Sequence, residues 1–190
     1  GTLALGMRRG PRIAVAGESV VVTAIVGREG KGRDGDLFAW RSTDAGSSWR
    51  GPVRVNSVEG SAREGLHGMT AGPDGSAFCV WLDLREKGAQ VYGARSRDGG
   101  ATWEPDRLIY QAPGGTVCQC CHPSAAVGPN GELAVMWRNV IDGSRDMHLA
   151  RSTDGGATFG PAEKLGRGTW RLNTCPMDGG AAAIGPEGVV

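Results

Sequence analysis

The sequence predicts an all-β fold, a β-propeller built from four-stranded antiparallel blades, and three repeated features lead to this prediction. A motif with the pattern Ser-x-Asp-x-Gly-x-x-aromatic occurs three times. A turn with the pattern Gly-Pro-x-Gly recurs at a similar interval. Short apolar runs bounded by these turns have the length and the bulky side chains that are typical of strands. Four strands repeated about every 55 residues make a propeller blade.

The eight-residue motif is suited to a tight hairpin turn. Its Asp can accept hydrogen bonds from nearby backbone amides, and its Gly can take the positive φ that such a turn requires. Asp44, Asp98 and Asp154 are 54 and 56 residues apart, which indicates a repeat array. The final aromatic side chain can pack between neighbouring repeats. We therefore predict structural rather than catalytic roles for Ser42, Asp44, Gly46, Trp49, Ser96, Asp98, Gly100, Trp103, Ser152, Asp154, Gly156 and Phe159.

Each repeat has the order strand, Pro-Gly turn, strand, polar loop, strand, eight-residue motif, strand. The second strands of two repeats are predicted at 76–81 and 132–137, and both end in Trp. The third strands are predicted at 37–41, 91–95 and 147–151. The pattern assigns residues 1–190 to one partial propeller, with blades at 11–58, 59–114 and 115–168 and the start of another at 169–190.

Composition excludes several classes of function. The chain has 190 residues, 33 of them Gly, and no apolar run near the roughly 20 residues that a membrane-spanning helix needs. Its formal net charge is +1, and Lys and Arg are scattered along the chain. We therefore predict no membrane span and no nucleic-acid partner.

The repeated motif resembles the Asp box, or bacterial neuraminidase (BNR) repeat, of sialidase-like β-propellers. The resemblance extends over nearly the whole chain and implies a ring of six blades. Three blades and a hairpin cannot close such a ring, so we expect missing blades or a second copy of the chain to complete it. The chain begins without Met and ends in the first hairpin of a repeat, so we expect part of a longer protein. The usual setting of the fold and the cysteine content favour an extracytoplasmic (periplasmic or secreted) location.

Cysteines are concentrated in two segments that precede the innermost strands of neighbouring blades. Thr116-Val-Cys-Gln-Cys-Cys-His-Pro123 precedes blade three, and Asn173-Thr-Cys-Pro-Met-Asp-Gly-Gly180 precedes blade four. Cys118 and Cys175 are 57 residues apart, as are the first glycines of the following Gly-Pro turns, so the two cysteines occupy equivalent positions. The side chains expected to converge near the central axis are Cys118, Cys120, Cys121, His122, Cys175 and Met177.

Three roles fit this group of side chains, and the sequence leaves them open. Thiolate, imidazole and thioether ligands together favour copper as Cu(I) or zinc as Zn(II), and copper in particular if Met177 takes part. Alternatively, Cys118 or Cys120 pairs with Cys175 in a disulfide that joins blade three to blade four. A redox-active thiol is the third alternative.

The resemblance to sialidases implies an arginine triad that grips the substrate carboxylate, because a guanidinium pairs bidentately with a carboxylate. The first arginine of that family stands in an Arg-Ile-Pro sequence. Pro11-Arg12-Ile13-Ala14 resembles it, with Ala14 in place of the proline. Arg138 and Arg145 lie near loops that follow second strands, and they are the candidates for the rest of the triad.

The rest of the sialidase machinery is not matched by this chain. The resemblance implies a Tyr nucleophile, in a later blade, and an Asp acid/base. The chain has only Tyr92 and Tyr110, both on predicted strands of blade two, and Glu64 stands where the family's Asp is expected. We therefore predict a sialidase-like module that does not cleave sialic acid by itself and that carries a cysteine-rich rim site.

Two alternative functions remain open. The first is an exo-sialidase or other glycoside hydrolase whose remaining catalytic residues lie in missing blades. The second is a non-enzymatic scaffold that binds a glycan, a small molecule or another protein. The cysteine-rich segment favours the main prediction, because sialidase catalysis does not use thiols there, whereas Arg12 and the Asp boxes keep the first alternative open.

Overall fold

The computed structural model of the chain describes residues 1–29 and 33–189. All regular secondary structure in these residues is β-strand, arranged as three antiparallel sheets and a final hairpin. No helix in the described part of the chain is long and apolar enough to cross a membrane. Each sheet forms one blade of a β-propeller, and the hairpin begins a fourth blade, so the predicted fold class is confirmed.

Blade one has an interrupted innermost strand. Its strands are β1 (Thr2–Leu3), β2 (Arg12–Ala16), β3 (Ser19–Gly27), β4 (Asp36–Ser42) and β5 (Arg50–Arg54). Both β1 and β2 pair with β3, with Leu3 opposite Val26 and Arg12 opposite Thr23. Residues 4–11 therefore leave the sheet as a loop at its innermost edge. The sequence did not predict β1, because a strand of two residues has no periodicity of its own.

Blades two and three follow the simpler order expected of a four-stranded meander. Blade two contains β6 (His67–Ala71), β7 (Ala77–Asp83), β8 (Gln90–Ser96) and β9 (Arg107–Tyr110). Blade three contains β10 (Ser124–Val127), β11 (Leu133–Arg138), β12 (Met147–Ser152) and β13 (Glu163–Lys164). The final hairpin pairs β14 (Ile184–Gly185) with β15 (Gly188–Val189).

The hydrophobic core lies between the faces of neighbouring blades. Every residue of β7 is buried, because the strand is in the middle of its sheet and that sheet is covered on both faces. Trp81 packs toward blade one with Ile25 and Leu37, whereas Val80 packs toward blade three with Trp137. This arrangement explains why the second strands are continuous apolar runs rather than alternating patterns.

Each Asp box is closed by the same hydrogen bonds. In the first box, the Ser42 hydroxyl donates to Asp44 Oδ1 (2.7 Å) and accepts from the Gly46 amide (2.8 Å). The Asp44 carboxylate accepts from the amide (2.8 Å) and the hydroxyl (2.5 Å) of Ser48, and these bonds lower the pKa of Asp44 to about 2. The other two boxes repeat the arrangement with Thr102 and Thr158 in place of Ser48.

The aromatic residue of each box meets a different environment. The Phe159 ring contacts Phe78 of blade two, with 5.8 Å between ring centroids. Trp103 packs against the buried residues Val21 and Ala16 of blade one. Trp49, in the first box, is 44% exposed, and its indole nitrogen donates to the carbonyl of Gly46 within its own box.

Candidate functional site

A cleft lies among the innermost strands, where β2 and β10 both contact β6. Its volume is about 470 Å³, and all three blades and the segment before β14 contribute to its walls. Arg12 stands at the first position of β2, and Ser124 at the first position of β10. Arg8, on the loop between β1 and β2, and His122 also line the cleft. We call this region the axial cleft.

Two arginines make the axial cleft cationic. Arg12 Nη2 donates to the backbone carbonyl of Arg8 (3.0 Å), which holds the two residues together. Burial, and then the positive charge of Arg8, lower the pKa of Arg12. The Arg8 guanidinium lies 3.6 Å from the Asp178 carboxylate, an exposed pair that contributes little stability. A half-buried cation with a second cation beside it is a place where a bound anion would be stabilised.

His122 and Ser124 have hydrogen-bonding atoms that are not used within the cleft. Among the described residues, neither His122 Nδ1 nor Ser124 Oγ has a hydrogen-bond partner, although both atoms are buried. Burial and the charges of Arg12 and Arg8 lower the pKa of His122, so the imidazole is neutral at pH 7. Buried polar atoms without partners are uncommon in folded proteins, and a polar ligand in the cleft would satisfy them.

Four cysteine sulfurs meet next to the axial cleft, on the segments before β10 and β14. Cys120 and Cys175 form a disulfide, with a Cα–Cα distance of 6.3 Å, that joins blade three to the segment leading into blade four. Cys118 Sγ lies 3.5 Å from Cys120 Sγ and 3.3 Å from Cys121 Sγ. The sulfurs of Cys118, Cys120 and Cys175 lie within 4.8 Å of one another. We call these four residues the cysteine cluster.

Cys118 differs from the other free thiols in its hydrogen bonds. Its sulfur is hydrogen-bonded to Cys121 Sγ, and Arg145 Nη1 donates to it at 3.2 Å. When Cys118 is ionised, Cys121 is the donor of their shared bond. The hydrogen bond from Cys121 has the largest effect on the pKa of Cys118. Together with the hydrogen bond from Arg145, it lowers this pKa to about 6, although burial acts in the opposite direction. The same bond raises the pKa of Cys121, which must keep its proton to donate.

Arg138 and Arg145 line a neighbouring hollow that shares Gly180 and Ala181 with the axial cleft, whereas Arg12 lines the cleft itself. Arg138 Nε donates to the carbonyl of Asp178 (3.0 Å), and its guanidinium lies 4.9 Å from the ring centroid of Trp170. Arg145 Nε donates to the carbonyl of Leu172 (3.2 Å). Both arginines therefore hold the segment before β14 against blade three.

Met177, which the sequence predicts as a ligand, and the histidine His67 are not among the residues that line the axial cleft. Met177 is half-buried and has a φ of 56°, in the left-handed region. His67 is fully buried in β6, where Nε2 lies 3.0 Å from the hydroxyl of Thr23. Burial lowers the pKa of His67 to about 3, with a smaller contribution from Arg12, so this side chain is neutral and belongs to the core.

The tyrosines and Glu64 are engaged in contacts of their own. The Tyr92 ring lies under the Arg85 guanidinium at 3.9 Å, and the Tyr110 hydroxyl accepts a hydrogen bond from Asn139 (2.6 Å). Glu64 forms an ion pair with Arg9 at 3.0 Å. None of these three residues lines the axial cleft.

Comparison with known proteins identifies the family. A family profile described as "BNR repeat-like domain" matches residues 10–175. The chain belongs to the BNR repeat-like domain family. This match agrees with the three Asp boxes and with the blades of the structure, and it includes Arg12, His122 and Ser124 of the axial cleft and all four residues of the cysteine cluster.

Solved structures similar to this BNR repeat-like domain share its fold. They include a Hadza microbial sialidase (TM-score 0.61, 18% identity, 93% of this chain and 39% of that chain). An α-L-arabinanase from Penicillium chrysogenum in complex with arabinobiose gives a TM-score of 0.59 at 17% identity, over 96% of this chain and 56% of that chain. A variant of NanB sialidase from Streptococcus pneumoniae gives 0.53 at 16% identity, over 83% of this chain and 22% of that chain.

The BNR repeat-like domain therefore spans between about a fifth and somewhat more than half of the length of these solved structures. No curated protein sequence matches the chain significantly. At these identities the comparisons establish the fold of this BNR repeat-like domain.

The sequence analysis did not identify two residues that line the axial cleft of this BNR repeat-like domain. Arg8 belongs to the loop between β1 and β2, and it reaches the cleft because that loop leaves the sheet. Ser124 directly follows Pro123, and no motif in the sequence marks it. The available signal was the Arg-Arg pair at Arg8 and Arg9, which stands just before the Arg12 segment.

Proposed function

We propose that this chain is a glycan-binding module that takes an acidic sugar into the axial cleft and does not hydrolyse it by itself. The observation that carries the proposal is the pairing of Arg12 with Arg8 beside two buried polar atoms, on His122 and Ser124, that have no partner among the described residues. A sugar carboxylate would receive charge-assisted hydrogen bonds from the arginines, and sugar hydroxyls can both donate to and accept from the neutral imidazole and the serine.

Two observations support an acidic sugar as the ligand class. The similar solved structures include two sialidases and an arabinanase, which are proteins named for their action on glycans. Within the cleft, Arg12 uses two of its donors on backbone carbonyls, Pro11 and Arg8, which fixes the guanidinium and leaves its other donors for a ligand. An extracytoplasmic location, where glycans are abundant, is consistent with this proposal.

Binding without hydrolysis is supported by the contacts of the only two tyrosines. Tyr92 stacks on Arg85 and Tyr110 is hydrogen-bonded to Asn139, so both are committed to blade two and its boundary with blade three. Glu64 is neutralised by Arg9, although burial raises its pKa. An exo-sialidase activity of a longer protein would need its nucleophile from residues outside this chain.

Calorimetric titration with 3′-sialyllactose and with lactose tests the ligand proposal. We expect binding of the acidic sugar and much weaker binding of the neutral one. Arg12→Ala should weaken binding by roughly tenfold or more, because a hydrogen bond to a charged group contributes about 1.5–3 kcal/mol. Arg28→Ala removes the same charge from a side chain that is 90% exposed, and it should leave binding unchanged.

Equal affinity of the wild type and Arg12→Ala for the sialoside would overturn the ligand proposal. Hydrolysis of a fluorogenic sialoside by this chain would contradict the non-hydrolytic part of it. The two readouts are separate, because binding is measured by heat and hydrolysis by released fluorophore.

A second function is favoured by the cysteine cluster: we propose that its reduced form binds Cu(I) or Zn(II). Three sulfurs within 4.8 Å of one another, with Cys121 Sγ 3.3 Å from that of Cys118, are the soft donors that these ions prefer. Cys120 and Cys175 become ligands only after their disulfide is reduced. Met177 would favour copper over zinc, since a thioether is a soft ligand.

Metal content after anaerobic reduction tests this second proposal. The reduced protein is loaded with Zn(II) or Cu(I), dialysed, and analysed by plasma mass spectrometry. We expect near-stoichiometric metal in the wild type and loss of it in Cys175→Ser. Cys79→Ser changes a fully buried thiol within β7 and should keep the metal. Retention by Cys175→Ser at the wild-type level would refute the site.

A further inference from the structure

The cysteine cluster contains a thiol next to a disulfide, and this arrangement has a chemical consequence of its own. Cys118 Sγ is 3.5 Å from Cys120 Sγ, one of the two sulfurs of the Cys120–Cys175 disulfide. Cys121 Sγ is farther from that sulfur, at 3.9 Å. A thiolate reacts with a disulfide by attack on one of its sulfurs, so access and proximity decide which thiol reacts.

Burial separates the attacking sulfur from the leaving one. Cys118 is 1% exposed, so it is shielded from thiols in solution, whereas Cys175 is on the surface. A leaving thiolate on Cys175 would be solvated at once, which assists its departure. Arg145 Nη1 donates to Cys118 Sγ at 3.2 Å and thus faces the sulfur that must carry the negative charge before the attack.

We propose that Cys118 is an internal exchange thiol, which attacks Cys120 Sγ and transfers the disulfide from Cys120–Cys175 to Cys118–Cys120. The Cys118–Cys120 bond forms as the Cys120–Cys175 bond breaks, and the electron pair leaves on Cys175, which takes a proton from water. The number of disulfides and thiols is unchanged, so the step needs no external oxidant or reductant. This inference does not depend on the ligand proposed for the axial cleft.

Exchange would release the segment before β14 from its covalent attachment to blade three. Noncovalent attachments would remain, among them the hydrogen bonds from Arg138 to Asp178 and from Arg145 to Leu172. Gly179 packs so closely on the backbone of His122 that an added Cβ would overlap the His122 carbonyl oxygen. The released segment includes Gly180, which lines the axial cleft, so exchange would loosen one wall of that cleft.

Tryptic mapping can distinguish the two disulfides, because trypsin places the cysteines in two peptides. Residues 108–138 contain Cys118, Cys120 and Cys121, and residues 172–190 contain Cys175. The oxidised protein is incubated at neutral pH without redox reagents, then denatured in acid with N-ethylmaleimide and digested. The original disulfide joins the two peptides, whereas the exchanged disulfide lies within 108–138 and leaves an alkylated Cys175.

We expect a fraction of peptide 172–190 to carry the maleimide and an equal fraction of peptide 108–138 to hold a Cys118–Cys120 disulfide. In Cys118→Ser this fraction should fall to background, and in the matched variant Cys121→Ser it should persist. Alkylation of Cys175 in the wild type no higher than in Cys118→Ser would overturn the proposal. Fragmentation that places the internal disulfide at Cys120–Cys121 would also overturn it, and this readout needs only the wild-type protein.

Discussion

At the scale of single residues, the carboxylate of Asp98 shows how one side chain closes a whole turn. Its Oδ1 accepts from the Thr102 amide (2.9 Å) and the Ser96 hydroxyl (2.8 Å), and its Oδ2 accepts from the Thr102 hydroxyl (2.6 Å). All three donors favour the ionised carboxylate. Burial raises the pKa of Asp98, but the hydrogen bonds from Thr102 and Ser96 outweigh it, and the pKa is lowered.

Replacement of Asp98 by Ala should therefore destabilise the fold at neutral pH, by about 1–2 kcal/mol for the hydrogen bonds lost. A group whose folded pKa lies below its unfolded value of about 3.9 stabilises the fold above that value and loses this effect as the pH falls toward the folded pKa. The deficit of Asp98→Ala should therefore shrink as the pH is lowered from 7 through this window. Urea denaturation of both proteins at pH 7 and pH 3 measures the two differences.

The control for this comparison is Glu187→Ala, which removes an exposed carboxylate on the turn between β14 and β15. It should change the free energy of unfolding little at either pH. A constant difference between Asp98→Ala and the wild type at both pH values would show that the charge of Asp98 is not what the turn uses.

At the scale of elements, the long apolar strands were predictable from the sequence, whereas the two-residue strand β1 and the contacts of the loops were not. The runs that end in Trp81 and Trp137 are continuous and apolar because β7 and β11 lie in the middle of their sheets. The Pro-Gly turns before them fix where these strands begin. A loop contact depends instead on residues far apart in sequence, as in Arg85, which pairs with the nearby Asp83 and also with Asp106.

The candidate site, too, could be predicted from the sequence only in part. The spacing of 57 residues places Cys118 and Cys175 at equivalent positions, yet it is Cys120 that bonds to Cys175. The backbone turns back on itself here, with the Cys121 amide donating to the Cys118 carbonyl (3.4 Å), and no spacing rule reports such a local turn. Arg12 could be found from its family motif, whereas Arg8 depends on the path of residues 4–11, where its own φ is 62°.

At the scale of the whole molecule, the Asp boxes also join one blade to the next. Gly100, in the box of blade two, approaches blade one so closely that an added Cβ would lie 2.9 Å from a Val21 methyl carbon. Gly156, in the box of blade three, would meet the Phe78 ring of blade two at 2.7 Å. The glycine thus serves both the positive φ of the turn and the close approach of neighbouring blades.

The first box supplies a matched control for this second role. Gly46 has a φ of 91°, close to the 84° of Gly100, but an added Cβ there would meet only Trp49 of its own box, at 3.8 Å. Alanine at either position bears the strain of a left-handed backbone, about 1–2 kcal/mol. Only Gly100→Ala also forces a methyl group into the packed boundary between two blades, which costs about 1–3 kcal/mol more.

We therefore expect Gly100→Ala to lower the free energy of unfolding by about 1–3 kcal/mol more than Gly46→Ala, in urea denaturation at the same pH. Val21→Ala in the Gly100→Ala background should recover part of that difference, since it removes the methyl groups that the new Cβ meets. The blades would then be coupled through the box glycine. Equal losses in the two glycine variants would mean that the box glycine stabilises only its own turn and does not couple neighbouring blades.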